Sequence, residues 1–87
     1  MKLSEAITPD NLCHRHLAEN AAGQDVKSNQ HDVVKRCLLG HINHMIPAKE
    51  DNFNVKSLIY DHINCSMTDL SERGYDAVQK ALKELDL

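Results

Sequence analysis

Six histidines and three cysteines in 87 residues are the side chains most able to do chemistry in this chain, and all but His31 fall into three sets. Cys13-His14-Arg15-His16 is one, Cys37 with His41 and His44 is the second, and His62 with Cys65 is the third. Thiolate and imidazole are preferred zinc ligands, and Cys37 and His41, one helical turn apart, would share a helix face. His62 and Cys65 on a neighbouring helix would complete a four-ligand set. Against this, the chain holds no CxxC pair, and none of the spacings is that of a finger or ribbon. Cys37, His41 and His62 also lie on or beside apolar stripes, where a packed thiol or hydrogen-bonded imidazole is the commoner occupant. The expectation is no metal and no cofactor, with a small zinc-stabilised interaction module as an alternative.

Catalysis is not expected either. Cys13 beside His14 and His16 is a candidate nucleophile and base, but sequence neighbours rarely hold the oriented geometry of a triad. With only three glycines there is no phosphate-binding loop, and a short helical chain has little room for a sizeable pocket. The histidines have a different potential use. Titrating near pH 6–7, they would carry the net charge from −3 toward about +3 in mild acid, which is the chemistry of acid-sensitive association.

These groups must be positioned by a core poor in aromatics, since Phe53, Tyr60 and Tyr75 stand alone and tryptophan is missing. Leu, Ile, Val, Ala and Met suit packed helices better than a β-sandwich, so the fold class expected is all-α. Thr8-Pro9-Asp10 reads as a helix start, and a thin stripe of Cys13, Leu17 and Ala21 predicts an N-terminal helix over about 9–22 ending at Gly23. A polar linker follows, with Ser28 or Asn29 as the next cap. Val34, Leu38, Ile42 and Met45 then predict a helix over about 30–46, stopped by Pro47. Gly40 inside that helix costs up to ~1 kcal/mol relative to Ala, which close approach by another helix would justify.

Asn52 or Asn54 is the expected cap of a helix over about 54–64, whose face is Val55, Leu58, Ile59, His62 and Ile63. Thr68 or Ser71 opens the last, over about 69–86, with Tyr75, Val78, Leu82 and Leu85 on one stripe. Leu70-Ser71-Glu72-Arg73-Gly74 has the flavour of a winged-helix segment, but the stretch after Asn64 is too short for a wing hairpin. The expected organisation is a variable N-terminal segment, 1–30, and a helical regulator domain, 31–87.

The acidic balance lacks the basic footprint of an autonomous nucleic-acid binder. The N-terminal residues are polar, and no window approaches the ~18–20 apolar residues of a membrane span. Three widely spaced cysteines suit reduced thiols and a cytoplasmic location.

Asp51-Asn52-x-Asn54-x-Lys56-x-Leu58-Ile59, followed by Ile63, Thr68, Asp76, Val78, Lys80, Leu82 and Leu85, resembles the small enterobacterial biofilm regulators. These are the AriR/YmgB and YcgZ group, also called two-component-system connectors. The similarity runs ungapped from about Leu39-Gly40 to Leu85. It implies a non-enzymatic, all-α homodimer linked to biofilm formation, acid resistance and an envelope-stress phosphorelay, with a DNA-linked role also proposed for the group. The chain departs from the group in its long N-terminal segment with Cys13-His14-Arg15-His16, in Pro47 and in its histidine content.

The reading that results is a regulator acting by protein–protein interaction, with itself and with another regulatory or signalling protein. Leu38, Ile42, Leu58, Ile59, Ile63, Val78, Leu82 and Leu85 are its expected core and dimer interface. The alternative is a DNA-binding modulator of nucleoid-associated type, touching phosphates through Lys35, Arg36 and Lys56 and disfavoured by net charge.

Overall fold

The computed structural model describes residues 1–14, 16–27 and 30–87. Arg15 of the first histidine set, and Ser28 and Asn29, the expected caps, lie outside the described residues. One helical turn, α1 (Leu3–Ala6), opens the chain and buries Leu3. The Thr8-Pro9 signal then makes a turn instead of a helix: Asn11 Oδ1 accepts the Thr8 amide at 2.8 Å, and Asn11 Nδ2 donates to the Ala6 carbonyl at 2.9 Å. With Asn11 satisfying the local backbone in this way, the helix expected over 9–22 does not form.

The all-α expectation is overturned by a two-stranded antiparallel sheet of β1 (Ala18–Asn20) and β2 (Val33–Arg36). Ala18 faces Arg36, Glu19 faces Lys35 and Asn20 faces Val33, with an irregularity between Glu19 and Asn20. Asn20 shapes the turn after β1, its Oδ1 accepting the amides of Ala22 and Gln24, each at 3.0 Å. Val33 and Val34 are β-branched and fit a pleated strand better than a helix start. The helix expected over 30–46 therefore shrinks to α2 (Leu38–Met45), capped by Cys37, whose sulfur accepts the Gly40 amide at 3.4 Å.

Past Pro47, α3 (Lys49–Ile63) starts before residue 54, with Ala48 at the N-cap. Asn52 and Asn54 lie within it. Asn64 ends it in the left-handed region, φ 60°, where asparagine is tolerated, and donates its amide to Tyr60 O at 2.7 Å. The single helix expected over 69–86 is two. Ser66 caps α4 (Met67–Glu72) by accepting the Asp69 amide at 3.1 Å, and Gly74, at φ 101°, separates it from α5 (Tyr75–Glu84). That φ favours glycine, so the chain turns there.

Leu38, Ile42, Ile59, Leu70, Val78 and Leu82 are fully covered and form the centre. Leu3, Ile7 and Leu12 join the same core, so residues on both sides of the expected boundary at 30 share it. Gln79 of α5 fastens the N-terminus, donating Nε2 to the Ser4 and Ile7 carbonyls at 2.9 and 3.0 Å. Lys2 and Asp86 pair where the chain ends meet. Among the described residues, no helix is long and apolar enough to cross a membrane.

Candidate functional site

Several of the thiols and imidazoles are held in hydrogen-bonded roles by the fold. His41, on α2, is 3% exposed and donates Nε2–H to the Asn11 carbonyl at 3.1 Å. Burial is the main cause that holds its pKa below the ordinary value, with the charges of Arg36 and His44 acting in the same direction. His62, on α3, instead reaches Glu84 of α5 at 2.9 Å, where its hydrogen bond pulls the Glu84 carboxyl below the usual range. The alternative zinc set of Cys37, His41, His62 and Cys65 is not assembled. Among the described residues, no group of three or more His, Cys, Asp or Glu is placed to hold a metal ion.

Cys13 is buried, and its thiol donates to the His16 carbonyl at 3.0 Å. Burial, then the Glu19 carboxylate and Cys37, push its pKa up to about 11. A thiol held in that state is protonated at neutral pH, which leaves Cys13 unsuited to be the first nucleophile in a reaction. His14 and His16, the candidate bases beside it in sequence, have side chains engaged elsewhere. His14 Nδ1–H donates to Ser71 O at 2.6 Å, and His16 Nδ1 stands 2.9 Å from Glu19 Oε2. Both imidazoles line a small cavity of about 180 Å³ with Cys37, Leu39, Thr68 and Ser71.

Ser71 is a residue that sequence reasoning assigned wrongly, as a helix start. It sits inside α4, fully buried, and its Oγ accepts the first amide of α2, Leu38 N–H, at 2.9 Å. A side-chain cap supplied 33 residues away leaves no local pattern. Asn52 and Lys56 are a second case. Read as a helix cap and a phosphate contact, they lie one turn apart on α3 and both donate to Asn43 Oδ1 of α2, at 3.1 and 2.8 Å. The other candidate DNA contacts are on β2, where Lys35 is exposed and Arg36 half-buried.

The expected core and interface residues divide cleanly. Leu38, Ile42, Ile59, Val78 and Leu82 are covered within a single chain, and Ile63 and Leu85 pack partly against them. Leu58 is different, nearly half exposed on α3. On another flank of that helix Phe53 and Tyr60 are 69% and 53% exposed. Phe53, Ser57 and Tyr60 are spaced four and three residues apart and so form one stripe. With Lys56, Asp61, Ser66 and Met67 they line a shallow, mainly apolar groove of about 380 Å³. The sequence held this signal in its few aromatics, but Phe53 and Tyr60 fall outside the core-facing periodicity.

No family model, no curated protein and no solved structure matches the chain, so the molecule has to be read from its own geometry.

Proposed function

We propose that this chain is a non-enzymatic regulatory protein that acts by protein–protein interaction and pairs with a second copy through α3. The biofilm, acid-stress and phosphorelay setting rests on the sequence resemblance alone. The contact surface rests on exposed Phe53 and Tyr60, with half-buried Ser57 between them. Large apolar side chains left outside a folded core mark surfaces that other molecules cover.

A twofold contact uses the same patch on both copies. Packed antiparallel, α3 of each copy sets its Phe53 beside Tyr60 of the other. Ser57, between them, is small enough for the helices to approach. Aromatic side chains bury about 150–250 Å² each, so two from each copy cover at most about 1,000 Å². Stable interfaces need about 1,200–2,000 Å². The pairing is therefore a weak and reversible one, suited to a protein that exchanges its own copy for a signalling partner.

Light scattering over a concentration series tests this. The wild-type mass should rise toward that of a dimer with concentration. Phe53→Ser should stay monomeric with an unchanged melting midpoint, because Phe53 adds nothing to the core. A wild-type protein that remains monomeric throughout, or a Phe53→Ser variant that still dimerises, overturns the proposal.

A further inference from the structure

Cys13 and Cys37 are 24 positions apart in sequence, and the backbone is bridged at the residue before each. An isolated parallel bridge pairs Leu12 with Arg36. Arg36 N–H donates to the Asn11 carbonyl at 2.8 Å, and Cys13 N–H returns to the Arg36 carbonyl at 3.1 Å. Paired strands run about 5 Å apart. The residues that follow the bridged pair are the two cysteines, so the backbone pairing ends one residue short of each, and a disulfide between them asks for Cα atoms about 4.4–6.8 Å apart. In a parallel pair, residues at matching positions point to the same side. Both cysteines are buried, and each thiol is enough of a neighbour to the other that the charge of Cys37 is felt at Cys13.

We propose that Cys13 and Cys37 are an oxidisable dithiol that takes up hydroperoxide and closes to an intramolecular disulfide. The two sulfurs have unequal roles. Cys37 lines the small cavity beside His14 and His16 and is the one a small oxidant reaches, whereas Cys13 lies behind it, bonded to the His16 carbonyl. In the first step the Cys37 sulfur attacks one peroxide oxygen, the O–O bond breaks, and Cys37 becomes a sulfenic acid with release of water. In the second, the Cys13 sulfur attacks the Cys37 sulfur, the S–O bond breaks, and the hydroxyl leaves with the Cys13 proton as a second water. Two thiols are oxidised by two electrons, and one peroxide is reduced to two waters.

Closure would tie the segment leading into β1 to the N-cap of α2. Cys65, half-buried after α3, has no part in it. The cavity, about 180 Å³, has room for a peroxide. The inference stands on the backbone pairing and is independent of the α3 contact.

The experiment is to treat the full-length protein with hydrogen peroxide, unfold it in excess N-ethylmaleimide, and map the peptides by mass. The expected result is loss of two hydrogens, a Cys13–Cys37 cross-link and alkylation of Cys65 alone. Dithiothreitol should restore all three alkylated cysteines and lower the melting midpoint again. Cys13→Ser should stop the reaction at a Cys37 sulfenic acid that dimedone traps. If that variant does not fold, Cys65→Ser keeps the test, since both remaining thiols should vanish together. Three alkylated cysteines after treatment, a cross-link that includes Cys65, or a Cys37 oxide beside a freely alkylated Cys13 each overturns the proposal.

Discussion

Ser71 and Ser66 make the same bond, a hydroxyl accepting the amide of a helix's first turn, in opposite surroundings. Ser66 is exposed, so water would replace its oxygen, and losing such a cap costs about 1 kcal/mol. Ser71 is sealed in the core, and the Leu38 amide it accepts has no route to solvent. A buried donor left unpaired costs about 1–3 kcal/mol, while the helix propensity gained with Ala returns only about half of one. Ser71→Ala should therefore destabilise the protein by about 1–3 kcal/mol in urea titration, more than Ser66→Ala does. Equal effects would mean that water reaches the Leu38 amide.

At the scale of elements, Gly40 marks where two pieces of chain cross. An alanine in mid-helix usually gains about 1 kcal/mol over glycine. Here a Cβ would overlap the Leu17 carbonyl oxygen and lie 3.1 Å from the Arg36 Cβ. The Leu17 carbonyl cannot simply move, because it also accepts the Cys37 amide at 3.0 Å, the bond that sets the N-cap of α2. Overpacking a tight contact costs about 1–3 kcal/mol, which outweighs the propensity gain. Gly40→Ala should lower the melting midpoint, and a rise would show that the β1 approach is loose. The close approach expected at this glycine is real, but the backbone leading into β1 makes it, not a second helix.

For the whole molecule, the pH response is set by burial more than by the number of histidines. His41 is shut inside and holds its proton less well than in the unfolded chain, where the ordinary value is 6.5. As pH falls below that value the unfolded state takes up a proton that the folded state resists, so stability is full above it and declines below. The melting midpoint should drop between about pH 7.5 and about pH 5.5, and His41→Gln should flatten the drop. A wild-type midpoint that does not change over this range would remove His41 as the acid-sensitive group.

What the sequence determined by itself was whatever local physics decides. Pro47 ended a helix, Ile59 and Ile63 set the inward face of α3, and Val78 and Leu82 that of α5, because apolar spacing and proline geometry act within a few residues. The sheet was illegible: β1 and β2 exist because each supplies the other's backbone partners across a linker, and the apolar spacing of Val34 with Leu38 mimics a helix. The single stripe from Tyr75 to Leu85 was legible, but its break from α4 rested on the left-handed turn at Gly74. The candidate surface was half visible. Phe53 and Tyr60 could be counted in the sequence, but only the packing of α3 against the core decided that they face outward. The pairing of Cys13 with Cys37 is wholly tertiary, since a backbone bridge between residues far apart in sequence is paid for by the fold around it and leaves no spacing to read.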